Sequence, residues 1–404
     1  MRDTNRNNKT IYPILVIIGL CHMLNDTLQA VIPAMFPILE QSLGLTFTQL
    51  GFIAFTLNMV SSVMQPVVGL YTDKRPIPFA LPVGLTLSMF GMFALAFAPS
   101  FWLILLSVVF IGLGSAVFHP EGSRVAYLAA GDRRGLAQSI YQVGGNAGSA
   151  LAPVITALVL VPLGQFGAIW FTLIAFLAVL FLSYIARWYR EQLHTFKMAQ
   201  TEKKEKKQDV SVSKAIKNAV IILVIIVFAR SWYQSAIGNF YAFHAISEYG
   251  LSIAQSQIYI FTFLVTGAIG TFLGGPLADR IGKRNTIIAS FLLPAPLALA
   301  LPYVNAVVAI ILLAIIGFSV LSSFSVSVVY AQELIPGKIG LMSGLIVGLA
   351  FGMGAIGSVA LGTLIDVMGL LETMIAVSLL PLLGFLSFLL PTDEKVDEWH
   401  NEPL

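Results

Sequence analysis

Long apolar blocks run the length of this chain, separated by short polar or Gly/Pro-containing breaks. The blocks are long enough to cross a bilayer as helices, which need about 20 apolar residues each. Cutting at the breaks predicts twelve spans, at 11–39, 47–70, 79–98, 101–129, 136–161, 167–189, 216–246, 253–277, 286–302, 305–333, 340–366 and 370–390. The ninth is the least regular, being short and carrying Pro294 and Pro296. The polar start of the chain, with a first apolar run too long for a signal peptide and no small-residue cleavage site, predicts that this segment is retained.

Positive charge alternates with the spans. Lys and Arg cluster at Arg2, Arg6 and Lys9, at Lys74–Arg75, at Arg133–Arg134, from Arg187 to Lys217, at Arg280, Lys283 and Arg284, and at Lys338 and Lys395. The alternate turns, near 40–46, 99–101, 162–167, 248–252, 303–305 and 368–371, carry none. The positive-inside rule then puts both termini and the central segment in the cytoplasm. That segment, lysine-rich around TEKKEKKQDVSVSK, reads as a solvated linker over 191–214 between two six-span halves, 1–190 and 215–404. The halves echo each other. Gly69-Leu-Tyr-Thr-Asp73-Lys74-Arg75 returns as Gly275-Pro-Leu-Ala-Asp279-Arg280, and Arg134-Gly135-Leu136 as Ile339-Gly340-Leu341.

Composition agrees: 57% of residues are hydrophobic and 11% charged, a balance that excludes a soluble enzyme core of this size. A single cysteine, Cys21, excludes an internal disulfide. There is no phosphate-binding loop, no metal-ligand spacing and no nucleophile–base set. The chain therefore reads as a polytopic membrane protein without cofactor or metal, in which any transport is driven by an ion or solute gradient. Its partners are a small-molecule substrate and the lipid bilayer, not nucleic acid.

Ionisable groups inside apolar spans are costly and mark the functional positions. Asp26 lies in span one, with His22 one turn before it and Asn25 and Gln29 as a neighbouring i,i+4 pair, giving one polar stripe. Span four contains Phe118-His119-Pro120-Glu121, with Arg124 three residues beyond Glu121. Glu121 and Arg124 can meet, either as an anchor for the helix end or as part of the transport path; His119 points elsewhere. Arg230 sits in mid-span seven, near Tyr233, Gln234 and Asn239. Its planar fork suits a carboxylate or phosphonate. Gln138, Gln142 and Asn146 share one face of span five. The serines at 322, 323, 325 and 327 and the glycines at 344, 348, 352, 354 and 357 are read as helix-packing residues.

The Gly275–Arg284 turn and the duplicated six-span pattern resemble the major facilitator superfamily. Within it, the chain is similar to the fosmidomycin-resistance family of bacterial drug-efflux carriers. The matching stretches include His22-Met-Leu-Asn25-Asp26, Gln65-Pro66-Val-Val-Gly69, Phe118-His119-Pro120-Glu121, Gln142-Val-Gly-Gly145-Asn146 and Tyr330-Ala-Gln332-Glu333. The resemblance implies an all-α membrane protein, with twelve transmembrane helices in two pseudo-symmetric six-helix bundles. Spans one, four, seven and ten would line its cavity, in a monomer of the bacterial inner membrane. It implies efflux of a small anionic or amphipathic compound by proton antiport; the other direction, an uptake symporter or facilitator for an anionic metabolite, stays open. Asp26, Glu121 and His119 are then candidates for proton coupling. Arg230, His22, Asn25, Gln29, Gln142, Asn146, Tyr233 and Gln234 are candidates for substrate binding. Asp73, Asp279, Arg280 and Arg284 are candidates for gating, with the two arginines as partners of the aspartates.

Overall fold

The computed structural model describes residues 9–131, 133–196, 214–335 and 339–401. Twelve helical segments are long and apolar enough to cross a membrane. They are Tyr12–Ala34, Phe47–Thr72, Ala80–Phe97, Phe101–Ala129, Leu136–Leu163, Gln165–Leu193, Lys214–Tyr249, Ile253–Ile281, Lys283–Tyr303, Ala306–Leu334, Gly348–Met368 and Leu370–Leu389, numbered one to twelve below. Each overlaps a span expected from the sequence, and no strand occurs among the described residues. A helix satisfies its own backbone groups, which hydrocarbon cannot do. The outer surface is correspondingly apolar: Trp102, Leu158, Val307 and Val367 are each at least 71% exposed. In water such a surface would aggregate; against lipid it is the stable one.

The described residues fall into two units, within Met1–Leu45 and Phe52–Lys204 and within Thr46–Gly51 and Glu205–Leu404. Most of the linker predicted at 191–214 lies outside the described residues, as does the Asp73 side chain. The first turn of span two groups with the second unit, where Asp366 accepts from the backbone N–H groups of Phe47 (3.1 Å) and Thr48 (2.7 Å).

In the first unit, span five lies directly on span one. A Cβ on Gly144 or Gly148 would collide with the backbone carbonyls of Gly19 and Met23. Glycine at both positions is what lets the two helices touch. In the second unit, Gly270 and Gly274 bring span eight onto the backbone of Phe318 and Ser322 in span ten in the same way. Ser322 and Ser323 donate to carbonyls three residues back, and Ser325 to Thr271 of span eight, which fits a packing role. The span-eleven glycines divide. Gly357 packs on Trp232, whereas a Cβ on Gly348 or Gly352 would meet no atom within 4 Å. The packing role expected for those two is therefore incorrect. Small residues permit close approach but do not enforce it, and here no described residue takes up the space.

The turn between spans eight and nine is held from an unexpected direction. Gly282 turns the chain at φ 89°, and the N–H groups of Lys283 and Arg284 donate to Asp393 at 2.6 and 3.3 Å. Arg284 donates through Nε to the Leu390 carbonyl (2.7 Å) and through Nη2 to that of Phe388 (2.6 Å). Tyr330 donates to the Pro391 carbonyl at 2.7 Å. The expected pairing of Arg284 with Asp279 does not form: a planar five-donor group is better satisfied by the open carbonyls at the end of span twelve. Asp279 and Arg280 are exposed. Lys283 instead pairs with Glu333 at 3.0 Å, tying span nine to span ten. Asp393→Ala removes the cap of span nine and is expected to destabilise the second unit by about 1 kcal/mol. Thermal unfolding of the purified protein checks this, and Asp393→Asn, which keeps an acceptor, should recover most of the loss.

Candidate functional site

The polar stripe of span one becomes a cluster around Asp26. Oδ1 accepts from Asn25 Nδ2 at 3.0 Å and from Gln29 Nε2 at 3.4 Å, with His119 Nε2 at 3.7 Å. Oδ2 faces His22 Nε2 at 3.3 Å. His22 four residues before Asp26 and Gln29 three residues after it reach the carboxylate from neighbouring turns of their own helix, and Asn25 reaches it from the adjacent position. His119 arrives from span four, one residue before the Pro120 break. His22 is buried (3% exposed), while His119 and Asp26 keep partial exposure at 27% and 18%.

The tautomer of His22 follows from its other nitrogen. Nδ1 lies 2.7 Å from the backbone carbonyl of Tyr141, which can only accept, so Nδ1 carries a hydrogen. In a neutral imidazole Nε2 is then a bare lone pair, and it faces a carboxylate oxygen. Two acceptors at 3.3 Å repel unless a proton sits between them. That proton belongs either to an imidazolium donating to Asp26 or to a carboxylic acid donating to His22. The ring is fixed further by stacking on Tyr141, with centroids 4.0 Å apart, while the Tyr141 hydroxyl donates to the His119 carbonyl at 3.3 Å. Tyr141 thus sets both histidines.

Gly145 completes the arrangement. A Cβ there would lie 2.6 Å from Asp26 Oδ2 and from His22 Nε2 and Cε1, so span five must be bare at this point. Gly145→Ala is expected to wedge the pair apart, with an overpacking cost of about 1–3 kcal/mol. It should lose pH-driven transport, whereas Gly352→Ala, placed in open space, should keep it; transport assays at matched protein levels make the comparison. The sequence holds no metal-ligand spacing, but the fold gathers His22, Asp26 and His119 so that their ligand atoms lie within 4.8 Å of one another. They are close enough to share a small cation.

Glu121 is placed elsewhere. It is fully buried and meets Arg124 Nη1 at 2.9 Å. Arg124 also donates to the Thr72 carbonyl (3.0 Å), the Thr72 hydroxyl (3.3 Å) and the Tyr189 hydroxyl (3.4 Å). This knot ties spans two, four and six. Gln142 and Asn146 are exposed on span five; Gln138 there accepts from Ser123.

In the second unit Arg230 is 2% exposed and ranks among the largest fully buried side chains. Its guanidinium carbon lies 4.8 Å from the centre of the Phe324 ring in span ten. Nη2 has no hydrogen-bond partner, and no described carboxylate pairs with the group. Buried cations are normally paired, and a ring face offsets only about 2 kcal/mol of their desolvation. Gln234 is half-buried beside it. Tyr233 is buried and lines a separate small pocket against spans nine and twelve. On the same helix, Ser235 and Asn239 meet Ser358 of span eleven at 2.8 and 2.9 Å, a polar seam the sequence did not reveal.

Comparison with known proteins places this geometry in a family. The profile of the Major Facilitator Superfamily matches residues 15–347. The chain is 68% identical over 400 residues to an uncharacterized MFS-type transporter, YfnC, of Bacillus subtilis (strain 168), covering 99% of this chain and 98% of that one. It is 43% identical over 389 residues to the Fosmidomycin resistance protein of Escherichia coli (strain K12), covering 96% and 95% of the two chains. Among solved structures, a bacterial homologue of the human lysosomal transporter Spinster, inward-facing and occupied, superposes with a TM-score of 0.77 at 15% identity, covering 95% of this chain and 98% of that one. The nucleoside transporter NupG gives 0.75 at 12% identity, covering 96% and 100%. The structural likenesses give the fold and the sequence identities the lineage: the chain belongs to the Major Facilitator Superfamily and, within it, to the fosmidomycin-resistance family.

Proposed function

We propose that this transporter exports a small anionic compound of the fosmidomycin kind in exchange for protons. It acts as a monomer in the bacterial inner membrane, with both termini in the cytoplasm. The observation that carries this reading is Arg230, a fully buried guanidinium with no described anionic partner. A phosphonate or carboxylate supplies the missing negative charge and fills the fork with two parallel hydrogen bonds. The coupling site is the Asp26–His22 pair, which takes up and releases one proton, with His119 on its more exposed side. Glu121 serves as the clamp that Arg124 holds, and Lys283–Glu333 as its counterpart in the second unit. The name of the 43% relative supports the choice of fosmidomycin as the first ligand to test.

The test is uptake into proteoliposomes under an imposed pH gradient, with fosmidomycin, a neutral sugar and a cationic dye as ligands. An acidic lumen should drive fosmidomycin inward, and the neutral and cationic compounds should not follow. Uptake driven by the opposite gradient would establish symport in its place, and uptake indifferent to both would remove the proton.

A further inference from the structure

The cluster around Asp26 offers more than a place for a proton. His22 Nδ1 donates to the Tyr141 carbonyl at 2.7 Å, so Nε2 presents its lone pair to Asp26 Oδ2 at 3.3 Å. Asn25 and Gln29 engage the other carboxylate oxygen, Oδ1, at 3.0 and 3.4 Å. Oδ2 is thereby left for a ligand it shares with His22. His119 Nε2 adds a third donor from span four, and the ligand atoms of the three residues lie within 4.8 Å of one another. No described Lys or Arg pairs with Asp26, so its charge stays available.

The spacing fits a metal ion. Zinc holds imidazole nitrogen and carboxylate oxygen at about 2.0–2.2 Å, and tetrahedral geometry then sets neighbouring ligand atoms about 3.3–3.6 Å apart. His22 Nε2 and Asp26 Oδ2 already stand at that separation. A shared proton draws such a pair closer, to about 2.7–2.9 Å. The outer partners fit as well. Metal-bound histidines donate their second ring N–H to a carbonyl or carboxylate, and metal-bound carboxylates are themselves hydrogen-bonded. Tyr141 serves His22 in the first way, and Asn25 and Gln29 serve Asp26 in the second. Gly145 leaves space beside the pair, since a Cβ there would stand 2.6 Å from both Asp26 Oδ2 and His22 Nε2. His119 has to move closer to join them, and its 27% exposure beside the Pro120 break gives it room to do so.

We propose that His22 Nε2, the Asp26 carboxylate and His119 Nε2 form a binding site for one divalent transition-metal ion of the zinc class. Two imidazoles and one carboxylate suit zinc, nickel or copper, whereas magnesium and calcium take oxygen donors. Three protein ligands leave one tetrahedral position for water, and the partial exposure of Asp26 and His119 lets the ion in. The ion takes the lone pair and the carboxylate charge that a proton otherwise shares. On the reading of Asp26–His22 as the coupling site, a bound metal therefore excludes the proton, and zinc blocks pH-driven transport.

Calorimetric titration of Zn2+ into the purified full-length protein, free of affinity tag and chelator, tests the site. One ion should bind per chain. Asp26→Asn and His119→Gln should each weaken binding by at least about tenfold, the lower end of what loss of an outer partner costs. The chain has five histidines, and replacing two outside the cluster, His194→Gln together with His400→Gln, should change nothing. Co2+ in place of zinc adds a structural readout: a tetrahedral ion absorbs strongly in the visible, and His119→Gln should shift or abolish the band. Absence of zinc binding in the unaltered chain overturns the proposal. So does binding that either cluster variant retains, or that the His194/His400 variant loses. His119 is partly exposed, so its variant keeps the test decisive even if Asp26→Asn fails to fold. Uptake driven by pH, measured without metal, separates this inference from the coupling role. A chain that couples to protons but binds no zinc loses only the metal site. One that binds zinc but ignores pH keeps the metal site and loses the coupling role of Asp26.

Discussion

Asp26→Asn should abolish pH-driven accumulation of substrate while leaving the protein folded and able to exchange substrate down its own gradient. The reasoning is atomic. An asparagine at this position keeps an oxygen to accept from Asn25 and Gln29, and its amide N–H donates to the bare Nε2 of His22. Every hydrogen bond of the carboxylic-acid form of the pair is reproduced by a group that cannot release the proton. The cluster is therefore locked in one state, and a carrier that cannot change state cannot couple. Glu121→Gln provides the contrast. Its partner Arg124 would lose an ionic contact but keep Thr72 and Tyr189, so stability should fall while pH-driven transport persists at a reduced rate. Paired measurements in proteoliposomes of accumulation and of counterflow decide the matter; the reverse pattern would move the coupling role to Glu121.

Arg230 yields the second large effect, and one of unusual sign. Arg230→Met should weaken fosmidomycin binding by roughly 10- to 150-fold, the loss of about 1.5–3 kcal/mol carried by a charge-assisted hydrogen bond. The same substitution should raise the thermal stability of the ligand-free protein, because it removes a buried, unpaired charge and leaves a side chain of similar volume in its place. Arg230→Lys should also bind poorly, since an ammonium lacks the fork. Calorimetric titration and unfolding curves on the same preparations test both halves together. Weaker binding accompanied by lower stability would mean that Arg230 supports the helix packing and not the ligand.

The span pattern and the repeat were legible in the sequence because both depend on local composition: a lipid-facing helix must be apolar over its whole length. The polar stripe of span one was legible for a related reason, since His22, Asn25, Asp26 and Gln29 are neighbours on successive turns of one helix. What could not be read was any partner brought by another span. His119 joins Asp26 across 93 residues of chain (119 − 26). Tyr141 fixes His22 through a backbone carbonyl, a group every residue has and no sequence pattern marks. Gly145 stood out in the sequence only as part of the Gln142–Asn146 stretch, and only the position of Asp26 on the facing helix gives it a purpose. The same limit explains the error at Arg284. Its sequence neighbour Asp279 was the obvious partner, whereas the acceptors it found lie at Phe388 and Leu390, about a hundred residues on.

That last attachment has a consequence for biosynthesis. Span nine begins at a glycine turn whose N–H groups are satisfied by Asp393, 110 residues downstream of Lys283. At a translation rate of about 5–20 residues per second, roughly 5–20 s separate synthesis of the turn from synthesis of its cap. During that interval spans nine to eleven enter the membrane while the amide groups at Lys283 and Arg284 rely on water or headgroups. The second unit is thus assembled with its final tie made late, by a segment that has only just left the ribosome. A slower ribosome lengthens that exposed interval, and a fusion joined ahead of Asp393 makes it permanent.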